Sequence, residues 1–313
     1  MVRLIKRTMS RNFRERIDRR NFIERIEGRN LIEASRHGHV ELVRNFISQG
    51  VDLNIRYPGG KTALHYVAIQ AIRLTAHLTI LKELLEAGAD PNIVDNEGNS
   101  PLYSACSNNF LEMVEELLNH GANPNITDRK GRTPLYVASS NGKLDIVVLL
   151  LQNGADPNIT DNDGNSPLYS SCSDNSHEMV EELLKHGADP NVHGIYGKYP
   201  LIQASIYYNK EIFELLLLYG ADPNVFDRTN ETPLHKATSF VHLDAIKKLL
   251  AYGANLDIHS IYSQTPLNVA INEHTYNVVE ILENYFPSLQ NLSMRSITRN
   301  RINIIKIPRE LIV

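Results

Sequence analysis

Thr133-Pro134-Leu135-Tyr136, with Gly154-Ala155-Asp156-Pro157-Asn158 further along, is the stretch whose reading decides the fold. Versions of the first motif begin at Thr62, Ser100, Thr133, Ser166, Tyr199, Thr232 and Thr265. Versions of the second begin at Gly50, Gly88, Gly121, Gly154, Gly187, Gly220 and Gly253. In both series the first step is 38 residues and every later step is 33. Two independent motifs holding one register mark a repeat architecture.

The unit can be built from its residues. Thr133 is a good N-cap, because its hydroxyl accepts from the free amides of a first helical turn. Pro134 follows where a missing N–H costs nothing. Leu135 and Ala138 open a short apolar face, which Ser140-Asn141-Gly142 interrupts. Leu144, Val147, Leu150 and Leu151 then recur at helical spacing. Gly154 stands where a helix needs a left-handed terminator. Asp156-Pro157-Asn158 and Asp161-Asn162-Asp163-Gly164 are turn chemistry, so each unit reads helix, turn, helix, projecting loop.

On these residues the unit resembles the ankyrin repeat, which carries Thr-Pro-Leu-His and Gly-Ala-Asp-x-Asn signatures. The resemblance runs from about residue 28 to 286 and implies an all-α solenoid of about eight helix-turn-helix units with projecting hairpin loops. The signature His stands at His65 and His235; it is replaced by Tyr103, Tyr136 and Tyr169, by Ile202 and by Asn268. Asn92, Asn125, Asn158, Asn191 and Asn224 match a loop asparagine that is hydroxylated in some ankyrin proteins.

Composition agrees with one elongated stack. Of 313 residues, 42% are apolar, ordinary for a folded chain. No apolar run reaches the ~18 residues of a membrane span, and no signal-peptide core follows the start. Cys106 and Cys172 occupy the same place in units two apart, too distant to pair, which fits a reducing compartment, cytoplasmic or nuclear. Residues 96–125 and 162–191 agree at 23 of 30 positions, so duplication of a two-unit block accounts for both thiols.

Charge is uneven. Residues 1–27 form a basic N-terminal helix or arm, with nine Lys and Arg against four acids. Ile5, Met9, Phe13 and Ile17 recur every four residues there, as a capping helix would require. A nuclear or nucleic-acid-contacting arm and a mitochondrial presequence are the other readings. Residues 287–313 carry five bases and one acid, which leaves the repeats at −13 of a whole-chain −4. An acidic stack is a poor nucleic-acid binder and favours a basic protein partner, although acids such as Glu112 and Glu181 also suit a solvated outer face.

Two repeats depart from the pattern. The second is five residues longer, within Ile69–His77, and extension of both its helices is expected. The sixth has Val192-His193-Gly194-Ile195-Tyr196-Gly197-Lys198 as its loop, without the usual Asp, and Tyr199 in place of the Thr cap. Outward tyrosines are favoured interface anchors, so Ile195, Tyr196, Tyr207 and Tyr208 form the first candidate patch, packing on the next repeat being the other reading. The ankyrin resemblance places a protein target on loop tips and first helices. The tip candidates are Asn96, Glu97, Arg129, Lys130, Arg132, Asn162, Asp163, Tyr196, Lys198 and Arg228, and the helix candidates include Asp174, Ser239 and Phe240.

Residues 287–313 break the period. Pro287-Ser288-Leu289-Gln290-Asn291-Leu292-Ser293-Met294-Arg295-Ser296-Ile297, then Ile304-Ile305-Lys306-Ile307-Pro308-Arg309-Glu310-Leu311, resemble a degenerate SOCS box, the C-terminal adaptor of the ankyrin-repeat and SOCS-box family. That resemblance implies a short helical box in which Leu289, Leu292 and Ile297 face elongin B/C, while Ile307, Pro308 and Leu311 face a cullin. Ser293 stands where the family has Cys, Lys306 where it has Pro, and Val313 comes before its closing Tyr-Leu. A C-terminal cap and an F-box-like tail of viral or symbiont ankyrin proteins are the alternatives.

No phosphate-binding Gly-rich loop, Gly-x-Ser-x-Gly elbow or His-Glu-x-x-His site occurs, so no enzyme, cofactor or metal is expected. The reading is therefore a protein-interaction module, either the substrate receptor of an elongin/cullin-RING ubiquitin ligase or a scaffold or inhibitor that recruits nothing further.

Overall fold

The computed structural model describes residues 26–70, 74–172, 176–197 and 199–285. The basic segment up to residue 25 and everything after 285 lie outside that range. So do the N-terminal readings, the box residues Leu289, Leu292, Ile297, Ile307, Pro308 and Leu311, and the candidates Lys198 and Asp174. The chain divides into two compact units, residues 1–162 and 163–313.

The first unit holds four helix pairs: α1 (26–37) with α2 (Val40–Ser48), α3 (Ala63–Ile69) with α4 (Leu74–Glu86), α5 (Pro101–Ser107) with α6 (Leu111–Asn119), and α7 (Pro134–Ser140) with α8 (Leu144–Gln152). The second unit repeats the plan: α9 (Pro167–Ser171) with α10 (His177–Lys185), α11 (Pro200–Tyr207) with α12 (Lys210–Leu218), α13 (Pro233–Ser239) with α14 (Leu243–Ala251), and α15 (Pro266–Asn272) with α16 (Tyr276–Asn284).

Each first helix starts as its sequence dictates. The side chains of Ser100, Thr133 and Ser166 accept from the amides of Tyr103, Tyr136 and Tyr169, all at 3.1 Å. Thr62, Thr232 and Thr265 form reciprocal capping boxes with His65, His235 and Asn268. Tyr199, the exception, makes no side-chain cap bond. The helices end in a left-handed residue: Asn109, Gly142, Tyr208, Val241 and His274 hold this slot in register, all at positive φ.

Burial then stacks the pairs. In the first unit α3 packs on α5 and α5 on α7, with α4 on α6 and α6 on α8. Leu64, Leu102 and Leu135, one per repeat, are at most 1% exposed. In the second unit α11 packs on α9 and α13, α13 on α15, and α10 on α12, around Leu168, Leu201, Leu234 and Phe213. At roughly 25 cal/mol per Å² of apolar surface, each such leucine contributes about 2 kcal/mol, so neighbour burial holds helices too short to persist alone.

The long second repeat differs from expectation. Only α4 is extended, to 13 residues against nine in its counterparts, while α3 keeps seven. Gln70 takes an extended backbone, which stops α3. The added turn of α4 is anchored rather than loose: His77 is buried, and its Nε2 lies 3.2 Å from the Arg36 carbonyl.

Candidate protein-binding surface

Backbone bonds join the loops tip to tip within each unit. In the first, Asn96 N–H donates to the Gly59 carbonyl (2.8 Å), Arg129 to Glu97 (2.9 Å) and Asn162 to Lys130 (2.8 Å). In the second, Ile195 donates to Asp163 (2.6 Å), Arg228 to Tyr196 (3.1 Å) and Ile261 to Thr229 (2.9 Å). The loop asparagines add a second set. Asn125 accepts from Asp156 N–H at 2.8 Å and donates to the Gly154 carbonyl at 3.1 Å, and Asn92, Asn191 and Asn224 repeat that pattern. These carboxamides are framework. The tip residues between them hang on a fixed backbone.

The predicted tip residues separate on inspection. Asn96, Glu97, Arg129, Lys130, Asn162 and Asp163 are exposed. Arg129 and Glu97 approach only to 3.8 Å, a surface pair of little energetic weight. Arg132 is not a free contact. Its Nε and Nη2 both donate to Asp128, at 2.8 and 2.6 Å, and its guanidinium lies 5.9 Å from the Tyr103 ring centroid. Burial opposes ionisation of Asp128, but the bonds from Arg132 outweigh it and hold that carboxyl below its ordinary pKa.

In the second unit Ile195, Tyr196 and Tyr207 are exposed, the two tyrosines at 61% and 68%. Tyr208 is not an outward anchor. It fills the left-handed slot after α11, half-buried, with its ring edge-on to Phe213 (5.5 Å) and stacked on His242 (5.2 Å). His242 in turn lies parallel to the exposed Phe240 (6.0 Å), and its Nε2 is 3.1 Å from the Ile206 carbonyl.

Ile261 and Tyr262, exposed at 61% and 67%, were not among the predicted residues. They repeat the Ile195-Tyr196 pair 66 residues later, and that repetition is the signal that finds them.

A groove of about 380 Å³ runs between the sixth and seventh repeats, from the tips down α11. One wall is Tyr199, Ile202 and Ile206; the other is Asp227, Glu231 and Lys236; Tyr196 and Arg228 form the rim. Lys236 Nζ lies 2.9 Å from Asp227 and also bonds Glu231, while Thr229 Oγ1 donates within this pair of carboxylates. Burial opposes the Asp227 charge, but bonds from Thr229 and Lys236 prevail and keep its pKa low. Cys106 and Cys172 are unpaired and buried, and desolvation raises both thiols, Cys172 to about 12, so neither is a reactive thiolate. Among the described residues no trio of His, Cys, Asp and Glu gathers as a metal site, and no helix is long and apolar enough to cross a membrane.

Comparison with known proteins agrees with this geometry. A family model described as "Ankyrin repeats (3 copies)" matches residues 68–161, 148–227 and 201–291. A fem-1 homolog of Drosophila melanogaster is 37% identical over 68 residues, covering 19% of this chain and 10% of that protein. An ankyrin repeat protein of Acanthamoeba polyphaga mimivirus is 42% identical over 62 residues, 20% of this chain and 10% of that one. The matches thus span a tenth of these relatives' own length. The solved ankyrin repeat domain of Bcl-3, a member of the IkappaB protein family, superposes with a TM-score of 0.62 at 28% identity, over 72% of this chain and 99% of that one.

Proposed function

Because this chain belongs to the ankyrin-repeat family, we propose that it is a protein-recognition module whose target sits on the tips and first helices of the second unit. One observation carries this reading. Ile195, Tyr196, Tyr207, Phe240, Ile261 and Tyr262 are exposed at register positions that the framework leaves free. The equivalent positions in the first unit hold Asn96, Glu97, Asn108, Arg129, Lys130 and Asn141. Large exposed aromatics gain nothing in water and are what a protein interface buries.

The further reading is a substrate receptor of an elongin/cullin-RING ubiquitin ligase. Its support is the Leu289, Leu292, Ile297 and Ile307-Pro308, Leu311 pattern directly after the last repeat. Affinity capture of the full chain beside a Leu289→Ser, Leu292→Ser variant tests it. Elongin C should co-purify with the first and not the second; its absence from both, while a control box captures it, removes the ligase reading. Ser293 and Lys306 favour the alternative, a scaffold or inhibitor that binds one target and recruits nothing. That alternative predicts unchanged target abundance when the chain is overexpressed.

A further inference from the structure

We infer that the groove between the sixth and seventh repeats takes an extended acidic segment of the partner, which pairs a carboxylate on Arg228 with a large apolar side chain against Tyr199 and Ile206. This rests on the recognition reading above and names the partner's chemistry at that surface.

The apolar wall is the first argument. Other repeats place Thr or Ser where Tyr199 stands, and where Ile206 stands four have Ser107, Ser140, Ser173 and Ser239, with Ile69 in the second repeat and Asn272 in the eighth. The fold does not need these two side chains: Tyr199 makes no cap bond, and Ile206 is only half-buried. They leave an apolar surface that water solvates poorly and a partner side chain would cover.

The opposite wall is bonded within itself, Lys236 to both Asp227 and Glu231 with Thr229 donating between them, and it keeps one net negative charge. Selection falls to the rim. Arg228 is exposed, lies 5.1 Å from the Tyr196 ring centroid, and makes no ion pair among the described residues. A guanidinium held beside a ring with no ion-pair partner keeps N–H donors to spare, a planar fork that fits a carboxylate.

Net charge points the other way, because residues 163–285 hold sixteen acids and seven bases. Range decides between the two. Exposed charges are screened beyond about 8 Å at physiological salt, whereas a carboxylate on Arg228 would be in direct contact. The acids of the second helices therefore slow an acidic segment's approach more than they weaken its seat.

The test is panning of a random-peptide display library on the full chain. The enriched pool should pair Asp or Glu with an aromatic or large aliphatic residue. Binding should fall about tenfold or more in Arg228→Glu, the loss of one charge-assisted contact, and a pool selected on that variant should carry Lys or Arg instead. Ile206→Ser, which introduces the residue that four other repeats carry here, should weaken the same peptides, with far-UV circular dichroism confirming that both variants fold. A basic or unbiased pool, or acidic peptides that bind Arg228→Glu equally well, would overturn the inference. A library from which no peptide is enriched would overturn it too, leaving the recognition module standing.

Discussion

The His65 ring reaches Asn99 in the following repeat, its Nε2 lying 3.0 Å from that residue's carbonyl oxygen. On its other side Nδ1 accepts the Thr62 backbone N–H at 3.1 Å, so Nε2 carries the hydrogen and donates to Asn99. A second proton would have to enter at Nδ1, against an N–H already pointing there. Burial is the main cause that lowers this imidazole's pKa from 6.5 to about 4, and His235 is lowered by the same cause. Above pH 6.5 neither folded nor unfolded ring binds the proton. As pH falls from 6.5 toward 4 only the unfolded chain takes it, so stability drops across that window. His65 alone should cost roughly 3 kcal/mol at the acid end. Urea midpoints of the wild type and of His65→Gln between pH 4 and 7 check this. The variant should be less stable at pH 7 and show a shallower acid slope; parallel slopes would refute the assignment.

Tyr103 does the work of that histidine by other means. Its hydroxyl donates to Asp128 Oδ2 at 3.1 Å, joining a helix to the next loop. Tyr103→Phe should cost about 1 kcal/mol, a single buried bond, because Arg132 still holds Asp128. Burial, with Asp128 beside it, raises the phenol to about 12. The stability this tyrosine contributes should persist below pH 10 and disappear between 10 and 12. An alkaline unfolding series in which wild type and Tyr103→Phe lose stability in parallel would count against this.

Val241 shares its register with Asn109 and Gly142 but is β-branched, and it sits at φ 58°. A β-branched residue in the left-handed region is strained by about 1–2 kcal/mol. The residue is 38% exposed, so only part of a valine's burial is given up in return. Val241→Gly should therefore raise the thermal midpoint by several degrees, corresponding to about 1 kcal/mol. An unchanged or lowered midpoint would mean that its exposed side chain packs more than its exposure indicates.

Caps, helix stops and one buried leucine per unit were legible because each is a local rule repeated at fixed spacing. Thr133, Pro134, Leu135 and Gly154 act within a few residues of themselves. The misreadings concern partners that periodicity does not encode. Arg132 looked like a free tip, yet Asp128 lies four residues back in the same turn and claims it. Tyr208 looked like a helical anchor, yet it takes the left-handed slot held by glycine in the fourth repeat. Among the described residues the extra turn belongs to α4, because Gln70 leaves the helical region. Ile195-Tyr196 lies beside a broken cap, whereas Ile261-Tyr262 precedes an intact one at Thr265, so no local rule marks it.

Tyr199 separates stability from recognition in one residue. Thr or Ser at this position caps the first helix of the neighbouring repeats, and Tyr199 does not. Tyr199→Thr restores an acceptor for the Ile202 amide, worth about 1 kcal/mol, while it removes a ring that lies 4.7 Å from His193. Tyr199→Val removes the same ring and supplies no hydroxyl, so the two variants differ by the cap alone. Denaturant unfolding should place the Thr variant about 1 kcal/mol above the Val variant. Binding should behave differently. Both substitutions strip the groove of the same apolar wall, so each should weaken a peptide seated there, and by similar factors. If affinity followed stability instead, rising from the Val to the Thr variant, the ring would matter to the fold of the sixth repeat and not to the partner's seat.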